Sequence, residues 1–409
     1  MEERPRLRAN LIVLPVEYAG RKMILFQDPE RWCEELVFFP AEIAPIIQYF
    51  DGRHTIRDIQ EKLMRETGEL VMSDFIEKII SDFDSHFLLD SERFRKHIAE
   101  LKKEWNELEI RPAVLAGQSY PSDANELREF LNQFYLVPEG AGLPQENKDD
   151  TLRAIVAPHI ELKENGAVYA WAYKELYEHS QAELFLIFGT GHYQTEDILV
   201  FSEKHFQTPL GIAQTDKEFI QLVRSKIKRR SQLGDFSHRR EHSIELQVIF
   251  LQHLFEGKRD FKIVPVLVGS FQMMIELGMS PSKDPLFTDY LSALREAIKE
   301  CGKKVALIAS ADLAHLGPRY GDNELYAPIR EEEIKEDDEK MLNKLEQGDA
   351  EGFFEEIARI KDRRKICGLG PIYTVFKLLE PCRAEVLKWS VWYDMTTRSA
   401  VSFCSMAVY

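Results

Sequence analysis

The rhythm of apolar and polar positions changes along the 409-residue chain. Over residues 10–28 two short apolar runs, "NLIVLPVEY" and "RKMILFQD", meet through "AGRK", a spacing that predicts a β-hairpin rather than a helix. From Pro40 the period becomes helical. "PAEIAPIIQYF" runs into Asp51-Gly52. "TIRDIQEKLMRETG" opens on Thr55 with Asp58 three residues later, the reciprocal capping pattern, keeps Ile56, Ile59 and Leu63 on one face and stops at Gly68. A third helix after Ser73 turns Phe75, Ile76, Ile79, Ile80 and Phe83 inward. Residues 1–90 therefore read as a small α+β unit. Residues 91–110, with "SERFRKHIAELKKEWNELE", carry dense charge and sparse apolar positions, and read as an exposed helical linker.

The remainder, 111–409, has a different texture. From residue 150 apolar runs alternate with helical stretches, the pattern of an α/β domain with a largely parallel sheet. The predicted strands are "LRAIVAP" (152–158), "ELFLIFGTG" (183–191), "FKIVPVLVG" (261–269) and "KVALIASA" (304–311), with helical patterns at 166–179, 216–230, 241–255 and 286–300. The stretch 331–349 reads as a solvated amphipathic helix.

Charge narrows the function classes. A formal charge of −16 argues against broad binding to nucleic acid or anionic membranes, which need a positive surface. Residues 1–110 hold 16 basic against 23 acidic side chains, a net of −7, which turns the first unit from DNA toward a docking or peptide-binding role. "KIKRR" (226–230) reads as a solvated helix end. No run approaches the roughly 18 apolar residues of a membrane span, and "MEERPRLRAN" is charged where a signal peptide is apolar, so the expected compartment is the cytoplasm. The five cysteines, Cys33, Cys301, Cys367, Cys382 and Cys404, are widely spaced and form no C-x-x-C, which indicates neither a disulfide framework nor a zinc ribbon.

Three of the four predicted strands end on a histidine: "IVAPH" at His159, "IFGTGH" at His192 and "IASADLAH" at His315. In a parallel sheet the carboxyl ends line one edge, so the imidazoles should converge there. Gly191 in "GTGH" is expected to line the pocket and let the backbone approach a bound group. If "ADLAH" is helical, Asp312 and His315 share a face and the carboxylate fixes the imidazole for acid/base work; the alternative is that Asp312 caps the next helix. His242 in "REHSIELQVIF" is a pocket-lining residue, and with Glu245 it forms an H-x-x-E pair of the kind that ligates metal or simply makes a polar helix face. Cys367 precedes "GLGPIYTVFKLLE", where the positive helix end is expected to lower its pKa. With two neutral histidines the thiolate would make a His/His/Cys site suited to iron, copper or zinc.

The motifs "PAVLAGQSYPSDANELREFL", "IVAPH", "IFGTGH", "EHSIELQ", "IVPVLVGS", "SADLAHLG", "KICGLGPI" and the terminal "AVSFCSMAVY" resemble, in order and spacing, the Memo family, also called AmmeMemoRadiSam system protein B. The resemblance covers residues 111–409. It implies an α/β fold similar to LigB-type class III dioxygenases, a metal held by His159, His192 and Cys367, iron first with copper or zinc as alternatives, and an acid/base pair of His315 and Asp312. The segment "FFPAEIAPIIQYFDGRHTIRDI" resembles PqqD-like winged helices that hold peptides for radical-SAM partners. Two departures stand out: "PHIELKENG" replaces the family's P-H-A-G-Y, and Tyr193 stands where a second histidine often follows. Cys367 replaces the carboxylate of the dioxygenases, which counts against ring cleavage.

Three functions remain open at this point. One is a metal-dependent oxidoreductase acting on an unknown small molecule or peptide. Another is a non-catalytic adaptor that binds a peptide or protein, with a radical-SAM protein as partner. The third is metal-free catalysis with Cys367 as nucleophile and His315 as base.

Overall fold

A computed structural model describes residues 4–32, 36–68, 70–193, 195–229 and 234–409; Cys33 and Arg230, the last residue of "KIKRR", lie outside them. The chain divides into two compact units, Met1–Glu107 and Leu108–Tyr409.

In the first unit the predicted hairpin is Ile12–Tyr18 against Arg21–Gln27, and Val37–Pro40 adds a third antiparallel strand. Ala19 and Gly20 both have positive φ (51° and 72°), which matches a two-residue turn to the twist of the strands. The helix Ile56–Thr67 starts with the full capping box between Thr55 and Asp58 and ends at Gly68 in the left-handed conformation, φ 75°. It packs with Ser73–Ser85 over a core that includes Phe26, Ile59, Ile76 and Phe83. The expected exposed linker instead belongs to this unit. In Glu92–Glu107, Ile98 and Trp105 are buried, the His97 ring stacks on Phe87 at 4.1 Å, and the Arg8 guanidinium lies over Phe94. Its few apolar residues are sparse because one narrow stripe is enough to bury a surface helix.

The second unit is built on an eight-stranded sheet. Its order is Asp312–Leu316, Ser399–Val408, Ala154–Ala157, Val305–Ser310, Leu184–Thr190, Lys262–Val268 and Leu199–Phe201, and Ala384–Asp394 pairs with Ser399–Val408. The four predicted strands are its parallel centre. Strands buried on both faces read as continuous apolar runs, which is why these four are legible. Antiparallel strands flank them on both sides. Side chains alternate between two cores: Leu184, Leu186 and Phe188 face one, with Leu294, Ile372 and Phe376 from the helices Pro285–Glu300 and Leu369–Leu379. Phe185 and Ile187 face the other, with Tyr173 and Phe250 from the helices Leu162–His179 and Ser243–Phe255. Helices on both faces leave the strand ends as the place where polar groups can gather. Among the described residues no helix is long and apolar enough to cross a membrane.

Candidate metal centre

Each side chain of the site is delivered by a strand end or a helix start. His159 follows Ala154–Ala157, His192 follows Leu184–Thr190, and Asp312 follows Val305–Ser310 after one residue. The helix Leu369–Leu379 brings Cys367 across these ends. Its approach is close: a Cβ on Gly368 would lie 2.5 Å from the Asp312 carbonyl oxygen, and one on Gly370 would lie 2.8 Å from Val268. The Gly368 N–H donates to the Asp312 carbonyl at 2.9 Å, and the Thr190 hydroxyl donates to the Cys367 carbonyl at 3.0 Å. The glycines of "CGLG" thus seat the thiol against two strand ends at once.

The predicted side chains meet. Cys367 Sγ is 3.3 Å from His159 Nε2 and is hydrogen-bonded to His192 as well. The His159 and His192 ring centroids are 4.9 Å apart. Two sets of ligand atoms, each set within 4.8 Å of one another, share His159: one with His192 and His242, the other with Asp312 and Cys367.

Hydrogen bonding fixes the imidazoles. His192 Nδ1 lies 3.0 Å and His242 Nδ1 3.2 Å from Glu241 Oε1, and a carboxylate only accepts, so both Nδ1 atoms carry the proton. His315 Nδ1 faces the Leu313 and Lys365 carbonyls at 3.2 and 3.1 Å and must donate too. Beside His159 Nδ1, at 3.4 Å, the Ser310 hydroxyl spends its proton on the Ser243 carbonyl and is left as an acceptor. With Nδ1 committed to the protein, all four histidines present Nε2 as the atom that binds a metal or exchanges a proton.

Electrostatics separate the groups. Burial lowers His159 well below the ordinary histidine value, with His192 acting in the same direction. Burial favours neutral His192 also, but Glu241 and Cys367 outweigh it and raise its proton affinity well above normal. Burial opposes ionised Glu241, yet the imidazole of His192 holds its carboxyl well below the usual range. Burial pushes Asp312 up to about 7 and His315 down to about 4.

Several expectations need correction. Residues 312–316 are a strand with a register shift between Asp312 and His315, not a helical turn, so Asp312 does not hold His315. Its carboxylate accepts from the His159 N–H at 2.9 Å and lies 3.6 Å from His159 Nε2. Nor does it cap a following helix; the backbone of the "PHI" turn is what it anchors. The Cys367 thiol is raised rather than lowered, because burial outweighs the His192 contact that favours thiolate. The helix end does not reverse this: the Gly368 and Leu369 N–H groups already bond to Asp312 and Ile366 carbonyls.

Glu245 is not a partner of His242. Fully buried, it pairs with Arg111 at 2.6 Å and accepts from the Val114 and Leu115 N–H groups and the Tyr120 hydroxyl. Gly189 and Gly191 do not adopt positive φ. At Gly189 an added Cβ would strike Ser243 and Ile244, and at Gly191 the Thr195 side chain, so at both positions the missing side chain makes room for the protein's own helix and loop.

Glu241, 2 % exposed, is the site residue that sequence reasoning missed. It stands directly before His242 in "EHSIELQ", and the signal was a carboxylate adjoining a histidine at a helix start.

The family model described as Memo-like protein matches residues 111–407. A MEMO1 family protein of Aquifex aeolicus is 24% identical over 395 residues, covering 95% of this chain and 96% of that protein, a span that reaches into the N-terminal unit. MEMO1 family proteins PF1638 of Pyrococcus furiosus and TK1477 of Thermococcus kodakarensis are each 31% identical, covering 73% of this chain and 99% and 98% of their own lengths. A solved structure, an uncharacterized protein (JW3007) from Escherichia coli K12, is similar at 13% identity and a TM-score of 0.37, over 63% of this chain and 99% of that one, a likeness too weak to carry an argument.

Proposed function

The chain belongs to the Memo-like family over residues 111–407, and from that premise we propose a metal-dependent redox protein whose ion is held by His159, His192 and Cys367. The observation that carries this reading is the common anchoring of the imidazoles: Nδ1 is committed to the protein and Nε2 is left as the ligand atom, beside a thiol 3.3 Å from one of them. This donor set fits a soft or borderline ion, iron first, with copper or zinc as alternatives, and does not suit magnesium or calcium. When bound, the ion supplies Lewis acidity and, for iron or copper, electron transfer. Loading releases the thiol proton, since only the thiolate is a ligand.

The chain's own residues do the rest. His315, neutral at pH 7 with its Nδ1 proton committed to carbonyls, is a base that accepts a proton at Nε2 from a bound small molecule or peptide. Asp312, near half-protonated at neutral pH, exchanges a proton beside His159 while its contact with the His159 N–H keeps that turn in place. Metal analysis after anaerobic purification tests the reading. About one ion per chain is expected, with loss in Cys367→Ala; a metal-free wild type indistinguishable from that variant would remove its basis.

A second reading, an adaptor that docks a partner such as a radical-SAM protein, is favoured by one observation on the first unit. Leu70, Met72 and Phe75 there are 67%, 66% and 50% exposed, Phe75 facing outward and not inward as its helical spacing suggested. Binding of such a partner to the full chain should fail in Met72→Asp; equal binding would exclude this surface.

A further inference from the structure

Glu241 serves two imidazoles at once. Its buried carboxylate accepts from the backbone N–H groups of His192, His242 and Ser243 at 2.9, 2.8 and 2.9 Å, which fixes it in place before either ring is considered. The His192 and His242 rings lie on it nearly parallel, 17° apart with centroids at 4.8 Å. Parallel rings anchored through Nδ1 to one oxygen direct their Nε2 atoms to the same side. The His159 ring stands edge-on to both, at 4.9 and 5.5 Å, and one ligand atom of each histidine falls within 4.8 Å of the others. A histidine that only walls a pocket needs no buried carboxylate to select its tautomer, whereas a metal-binding one commonly has such a partner.

Resting on the reading above, we infer that His242 is a further ligand of the same ion and that Glu241 is the positioning residue aiming His192 and His242 together. The centre would then hold three imidazoles and one thiolate. His242 and His192, each with about a third of its side chain reaching solvent, would be the ligands on the open side of the site, with His159 buried behind them.

X-ray absorption at the metal edge of the full-length protein, loaded anaerobically with iron(II) or zinc(II), counts the ligands, and chelator competition gives the affinity. Three imidazole nitrogens and one sulfur are expected in wild type. His242→Ala should show two nitrogens and one sulfur with affinity lower by at least about 10-fold, and Glu241→Gln should keep the count while losing roughly 10-fold in affinity. His242→Gln, which keeps a polar group at the rim, is measured alongside, so a folding defect in the alanine variant leaves the comparison intact. Identical two-nitrogen, one-sulfur shells and equal affinities in wild type and both His242 variants would overturn the inference and leave the redox reading standing. A wild type that binds no metal would overturn both.

Discussion

Glu241, just before the helix Ser243–Phe255, and Glu245, in its first turn, are both buried and both saturated with hydrogen bonds, yet they do opposite work. Around Glu245 the donors are Arg111, the Tyr120 hydroxyl and two backbone N–H groups, none of which keeps a basic lone pair suited to a metal or proton. That carboxylate ties the segment after Arg111 to the helix Ser243–Phe255. Around Glu241 two of the donors are imidazoles, and a donor imidazole has a second nitrogen left over. The same interaction is therefore scaffolding in one place and preparation for chemistry in the other. What distinguishes them is the identity of the donor.

The comparison breaks first at Glu245. Removing it as Glu245→Ala leaves Arg111 buried and unpaired, and should cost about 3–5 kcal/mol in chemical denaturation. A loss under about 1 kcal/mol would show that the node is not scaffolding. Cys367→Ser should act the other way: roughly 100-fold weaker metal binding by chelator competition, the upper end of what even outer partners cost, with apoprotein stability changed by less than about 1 kcal/mol.

A pH experiment sharpens the electrostatic half. His315 is depressed to about 4, so as pH falls below the unfolded histidine value the unfolded chain gains a proton that the folded chain does not. Stability contributed by this group is intact above about pH 6.5 and declines toward pH 4, by on the order of 2 kcal/mol. Unfolding free energies of the metal-free protein at pH 7 and 4.5 should differ less in His315→Gln than in wild type; equal differences would place the titration elsewhere. The smallest effect belongs to Tyr120→Phe, which deletes one hydrogen bond to Glu245 and should cost about 1 kcal/mol in denaturation without altering metal affinity.

Much of this was legible in the sequence, for identifiable reasons. The parallel strands announce themselves because burial on both faces demands unbroken apolar runs, and a histidine after such a run must lie on the carboxyl edge. Asp312 and His315 misled because "ADLAH" suits i,i+3 helical spacing, whereas the segment pairs with Ser399–Val408 across a long sequence gap that local pattern cannot reveal. That partner strand, "SAVSFCSMAV", is buried throughout but carries serines at Ser399, Ser402 and Ser405, so no alternation marks it. Glu241 escaped notice because its role depends on His192, 49 residues earlier. The sign of the Cys367 shift was misjudged because a helix start is visible in sequence and the depth of burial around it is not.

The central claim is that Glu241-anchored imidazoles and the Cys367 sulfur converge on one ion. The absorption spectrum of the cobalt(II)-loaded protein addresses it most directly. The account predicts an intense thiolate-to-metal charge-transfer band together with tetrahedral d–d bands, the former absent from Cys367→Ser. A wild-type spectrum of weak octahedral bands, unchanged by that substitution, would contradict it.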